Sequence, residues 1–229
     1  MLQTELGKTD TVLAALQKRR PDVAAHCRRV SAFAVRLATQ FGFAEDVIET
    51  VRVGALLHDV GKLVTPGRIL AKAGRPNARE WRELKAHPEL GMEICHRSGF
   101  DDDVCAIVLY HHERIDGKGY PDRLAHPAIP LTARLVSVMD AFDALTTPRT
   151  YRERLSLDAA RTLIARGAGT RFCPWMVSGF LALPPAMLAP GASEAPGARR
   201  HPEGQVFLSA DALASLRHTG TSSFQPSLS

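Results

Sequence analysis

"AEDVIETVRVGALLHDVGK", residues 44–62, sets the architecture. Its aliphatic residues recur at helical spacing and show none of the strict alternation of a half-buried strand. Gly61 is the expected stop. The piece reads as an apolar helix that delivers His58 and Asp59 at its end, where both side chains are free to converge on one point. A carboxylate placed among buried aliphatics costs several kcal/mol unless it meets a cation or a dense set of hydrogen bonds.

Helical periodicity continues on both sides, and strand signals are nearly absent. Val30, Phe33, Ala34, Leu37 and Phe41 share one face, and Gly42 follows as a stop. Residues 63–79 hold Pro66, Gly67, Gly74 and Pro76 and read mainly as a connecting loop. One helix is expected from about Ala78 to Arg97, stopped by Gly99. Asp101, Asp102 and Asp103 open the next, where the helix dipole favours acids. Further helices are expected over 130–145, from Leu157 to Arg166 with Ser156 as cap, and over 174–183. The fold class is all-α. The expected division is an N-terminal helix over 1–20, a globular core over 21–185 and a poorly ordered tail over 186–229. The tail holds four prolines, four glycines and seven serines, with one short helix expected over 209–218.

"HHERIDGKGYP", residues 111–121, is the second telling stretch. Successive helical residues diverge by about 100°. His111 and His112 can therefore share a target only if the helix ends there, and the glycines and proline that follow are turn chemistry. Asp140 repeats the problem of Asp59, because it stands inside the apolar run "LVSVMDAFDAL". Asp143, one turn on, reads as its exposed or capping companion.

The candidate ligands are thus His26, His58, Asp59, His87, His111, His112 and Asp140. Seven are too many for one tetrahedral ion and suit two ions sharing a bridging carboxylate. Mixed imidazole and carboxylate donors suit iron, manganese or zinc. Lys62 beside the pair offers a cation for phosphate. Ligand imidazoles must be neutral, so metal affinity and activity are expected to fall below about pH 6.

Composition narrows the classes. Hydrophobic residues make up 45% and charged residues 23%, as in ordinary globular proteins. No apolar run reaches the ~20 residues of a membrane span, and no signal layout opens the chain, so the expected compartment is the cytoplasm. Cys27, Cys95, Cys105 and Cys173 have no CxxC spacing and are expected to be reduced and mostly buried. The net charge of +5 lies entirely before residue 186 and suits an anionic partner. Aromatics at 6% offer little stacking platform for single strands, so no nucleic-acid partner is expected.

In order, HDVGK, HPELG (87–91), HHERIDGKGYP and VMDAFDALTTPRTYR (138–152) resemble the motifs of the HD-GYP domain, a branch of the HD-type metal phosphohydrolases. The likeness runs from HCRRV (26–30) to RFCPWMVSGF (171–180). It implies a single catalytic bundle of about seven helices around two or three divalent metals, iron or manganese. It also implies hydrolysis of cyclic di-GMP or cyclic GMP-AMP to linear pGpG or GMP. By motif, His58, Asp59 and Asp140 match the shared ligands, with Asp59 bridging and catalytic. His87, His111 and His112 match those of a second metal, and His26 matches the early histidine. Asp22 stands where three-metal members carry a glutamate, and is the possible third-metal ligand. Lys62, Arg149 and Arg152 match positions that touch the substrate phosphates. Gly119, Tyr120 and Pro121 form the loop that defines the branch.

The chain departs from that pattern in two loops. Members usually follow GYP with a Gly-Leu pair and a further Gly; here the piece is DRLAHPAIP (122–130). The usual IPD after HDVGK becomes TPG (65–67). About 20 residues precede the core, so the usual regulatory input is expected to be missing or supplied by a protein partner, and the helix at 10–19 offers a face for a homodimer. The rival readings are a non-catalytic dinucleotide- or partner-binding module, and an HD phosphohydrolase of another nucleotide.

Overall fold

The computed structural model of the chain describes residues 2–70, 72, 74–148 and 154–188. Arg149, Arg152 and the helix expected at 209–218 lie outside them. The regular elements of the described residues are all helical, with no named strand, so the all-α expectation holds. Ten α-helices follow one another: α1 (Leu2–Arg19), α2 (Pro21–Gln40), α3 (Glu45–Leu57), α4 (Gly67–Leu70), α5 (Ala78–Lys85), α6 (His87–Arg97), α7 (Asp102–Tyr110), α8 (Leu131–Thr146), α9 (Leu157–Arg166) and α10 (Pro174–Ala182). Short 3-10 turns occupy Val60–Leu63 and Pro185–Leu188.

The core is built on α2, α3 and α8. Phe33, Leu37, Val51, Leu135, Met139 and Phe142 interlock there, and Met176 and Phe180 of α10 close it. A second cluster joins Leu57 and Val60 to Val104 and Val108 of α7. Helix α1 is not left unpartnered: fully buried Leu16 packs with Val23, Ala24 and Cys27. Leu13, partly buried, joins the same cluster.

Three boundaries differ from expectation. Helix α3 stops at Leu57 rather than Gly61. Gly61 lies in the following 3-10 turn, and a Cβ there would strike the His87 carbonyl and stand 2.7 Å from the Gly91 nitrogen. Glycine is needed there for close approach of two backbone segments, more than as a helix stop. The expected helix 78–97 divides at Ala86 into α5 and α6. Pro88 has no N–H to return to the Leu84 carbonyl, which loosens the ladder at that point. The expected loop 63–79 contains one helical turn, α4.

Candidate metal centre

Three helix ends aim imidazoles into one buried space. Carbonyls in the last turn of a helix lack an intrahelical partner, and the histidine ring just beyond can use one. His58 Nδ1 donates to the Ala55 carbonyl at 2.7 Å. His111 Nδ1 donates to the Val108 carbonyl at 2.8 Å. His87 Nδ1 donates to the Leu84 carbonyl, the acceptor that Pro88 leaves free, at 2.7 Å. A carbonyl can only accept, so Nδ1 carries the proton in all three rings. In the neutral ring, the form that binds a metal, Nε2 is then a lone pair pointing inward.

These lone pairs face oxygen. His87 Nε2 lies 3.2 Å from Asp59 Oδ1, and His111 Nε2 lies 4.0 Å from the same atom. His58 Nε2 lies 3.5 Å from Asp59 Oδ2 and 3.9 Å from Asp140 Oδ1. His26 Nε2 sits 3.1 Å from Asp140 Oδ1 and 3.7 Å from Asp59 Oδ2. His112 completes the ring set, 4.1 Å centroid to centroid from His111. His58 Nε2 and Asp59 Oδ1 are buried with no hydrogen-bond partner. Lone pair against lone pair is repulsive unless a proton or a metal cation stands between, and the donor set fits a metal.

The donors fall into two groups that could each hold an ion: Asp59, His87, His111 and His112, and His26, His58 and Asp140. Asp59 spans them, turning Oδ1 to the first group and Oδ2 to the second. All seven expected ligands converge. Asp22 does not join them: its side chain is 67% exposed and pairs with Arg20 at 3.1 Å.

Electrostatics separate the groups in the metal-free chain. Burial opposes charge on His26, but Asp140, Asp143 and Asp59 outweigh it and lift the ring to about 9. His58 is likewise raised to about 9, with burial outweighed by Cys27 and Asp59. Burial drives His111 well down, helped by the neighbouring imidazoles, and takes His112 to about 3. Asp59 and Asp140 stay ionised despite burial, held by Lys62 and His58 in one case and by His26 in the other. Lys62 Nζ lies 2.5 Å from Asp59 Oδ2.

Sequence reasoning missed four participants. Asp143, expected to be an exposed or capping companion of Asp140, is 1% exposed. It accepts from His26 Nδ1 at 2.7 Å and holds Arg29 through both of its oxygens at 2.7 and 2.9 Å. The i, i+3 spacings of His26 with Arg29 and of Asp140 with Asp143 are the signal that would have found the pair. Cys27 borders the site beside His58 and Asp59. Glu113, buried at 3%, accepts the Asp122 N–H at 2.7 Å and so ties down the loop carrying Gly119, Tyr120 and Pro121. Gly119 is required there, since a Cβ would stand 2.5 Å from the Glu113 Cα and the Arg114 nitrogen. Tyr120 lies along His112 at 4.8 Å.

An all-α domain with a buried double cluster of histidines and aspartates is the class that fold and site define. The HD domain family model matches residues 10–174. The chain belongs to that family, in its HD-GYP branch. The cyclic di-GMP phosphodiesterase response regulator RpfG of Xanthomonas campestris pv. campestris is 38% identical over 73% of this chain and 45% of its own length. The 3'3'-cGAMP-specific phosphodiesterase 2 of Vibrio cholerae is 36% identical over 71% of this chain and 32% of its own. The chain thus spans less than half the length of these relatives. An HDG"Y"P protein from Bdellovibrio bacteriovorus shares the fold, with TM-score 0.58, 24% identity, and coverage of 69% of this chain and 50% of that one. Among the described residues no helix is long and apolar enough to cross a membrane.

Proposed function

We propose that the chain is a metal-dependent phosphodiesterase that hydrolyses a cyclic dinucleotide, cyclic di-GMP in the first instance. The observation that carries this reading is the set of inward-pointing Nε2 atoms on His58, His87 and His111 gathered about the two oxygens of one buried aspartate. His26, His58 and Asp140 would hold one ion, His87, His111 and His112 the other, and Asp59 would bridge. Iron or manganese suits the mixed imidazole and carboxylate donors. When bound, the ions would supply Lewis acidity toward phosphoryl oxygen and a nucleophile at neutral pH.

The chain's own groups do the rest. Lys62, 23% exposed while touching Asp59, sets a cation where phosphoryl charge would develop. Arg149 and Arg152 are assigned to the phosphates by their place in the motif. Tyr120, with Gly119 and Pro121, walls the side of the site next to His112. The names of the relatives support a cyclic dinucleotide as substrate, and the chain's net charge of +5 suits an anion.

Metal content and cyclic di-GMP turnover of anaerobically purified protein test the reading together. Two ions per chain with turnover, abolished in His58→Ala and Asp59→Ala, is the expected result. Turnover near wild type in either variant would overturn it. Metal with no turnover would instead favour a binding module or another phosphodiester substrate.

A further inference from the structure

Cys27 follows His26 in the middle of α2, and successive helical residues diverge by about 100°. Helix α2 packs against both α3 and α8, so the two side chains look to different sides. His26 turns to Asp140 of α8. Cys27 turns to the end of α3. There its Sγ, one ligand atom of His58 and one of Asp59 all lie within 4.8 Å of one another. The two donor groups described above meet the same spread. His58 belongs to this trio and to the trio with His26 and Asp140, and Asp59 is the carboxylate that spans the cluster.

A buried cysteine is most often a small hydrophobe. One side of Cys27 is of that kind, packed with Leu16, Val23 and Ala24. The other side is not. His58 and Asp59 are 0% and 1% exposed, and His58 Nε2 and Asp59 Oδ1 have no hydrogen-bond partner. His58 Nδ1 is already committed to the Ala55 carbonyl. Two buried electron-pair donors beside a thiol call for a cation that sulfur can share with them. The remaining cysteines stand elsewhere. Cys95 and Cys105 belong to the second apolar cluster, and Cys105 Sγ turns to the Phe100 carbonyl. Cys173 Sγ meets Arg134. Among the described residues, Cys27 is the cysteine that joins a group able to hold an ion.

We propose that Cys27 is a further metal ligand, whose sulfur binds the ion on the His58 side of the cluster and makes that position select zinc or iron(II) over manganese. The proposal rests on the metal-centre reading above and adds a soft donor to it. Thiolate favours the softer ions, whereas manganese is better served by oxygen. Sulfur, imidazole and carboxylate are all ordinary zinc donors. On binding, a metal–sulfur bond forms and the S–H bond breaks. The proton leaves to solvent, and no electron is transferred. The position with His87, His111 and His112 gathers imidazole and carboxylate alone, so the two positions differ in the metals they favour.

Cobalt(II) substitutes for zinc and iron(II) and reports sulfur ligation by a near-ultraviolet charge-transfer band, separate from its visible d–d bands. The metal-free full chain is titrated with cobalt(II) anaerobically in thiol-free buffer. The expected result is a sulfur-to-cobalt band in wild type that is lost in Cys27→Ser and kept in Cys95→Ala, Cys105→Ala and Cys173→Ala. Its presence in wild type and in those three variants assigns the sulfur by elimination even where Cys27→Ser does not fold. In folded Cys27→Ser the ratio of zinc to manganese affinity should fall by about tenfold or more, since even a residue behind a ligand shifts affinity by that much. Visible cobalt bands without the sulfur band in wild type overturn the proposal and leave the metal centre standing, as does a sulfur band that survives Cys27→Ser. A wild-type chain that takes up no cobalt overturns the metal-centre reading and this proposal together.

Discussion

His26 and Asp143 are joined at 2.7 Å through the imidazole Nδ1, and this pair sets His26 apart from three other histidines of the cluster. His58, His87 and His111 spend Nδ1 on a backbone carbonyl. His26 spends it on a buried carboxylate that Arg29 grips from the other side. A carboxylate behind a ligand imidazole fixes the ring and raises its basicity. Asp143→Asn should therefore lower metal affinity by about 10–100-fold while leaving the helical signal intact. Titration with Mn(II), followed by calorimetry, checks this; wild-type affinity in the variant would remove Asp143 from the site.

The same pair gives the metal-free chain a pH signature. His26 is raised to about 9 in the folded state against about 6.5 unfolded. Its contribution to stability is then fully present below about pH 6.5 and is lost as pH rises through about 9. Metal must displace that proton. The competition reaches well above the pH 6 boundary expected from an ordinary imidazole, and metal affinity should keep climbing between pH 7 and 9. Calorimetry at pH 7.5 in buffers of different ionisation enthalpy should record net proton release on metal binding. Binding without proton release would contradict the assignment of His26 as a ligand.

Gly61→Ala should act as a backbone collision rather than as a helix effect. The added Cβ would meet the His87 carbonyl and its carbon, both held by the start of α6. The two segments must separate, moving Asp59 away from His87. Overpacking of this kind costs about 1–3 kcal/mol, so chemical denaturation should show a clear loss of stability, and metal affinity should fall with it. A variant as stable as wild type would show that the two segments yield freely.

Glu113→Ala should free the loop that carries Tyr120. Its carboxylate holds the Asp122 N–H, and burial raises its pKa. Amide exchange across residues 117–124 should accelerate in the variant, with exchange in α3 and α8 unchanged. Unaltered exchange in the loop would assign its order to other contacts.

Much of this molecule can be read in one dimension because helices and their ends are local. Apolar spacing near 3.6 residues placed α2, end signals (the acids at 101–103, Pro130, Ser156 and Pro174) placed α7, α8, α9 and α10, and the histidines and aspartates stood out as polar groups at apolar helix ends. Seven of the eight named metal-ligand candidates meet in space; Asp22 turns outward to Arg20. What chain order could not determine depends on partners far apart in sequence. Gly61 reads as a helix stop, yet its need for a bare Cα comes from His87 and Gly91. Asp143 reads as an exposed or capping companion, yet it is buried and bonded to His26 and Arg29, more than a hundred residues earlier. Arg123 carries no turn signal of its own, and only the folded backbone shows its left-handed conformation, φ 56°. Local propensity and periodicity write elements and candidate ligands into the sequence. The direction of each side chain, and the charge it meets, follow from packing between elements, which tertiary structure alone decides.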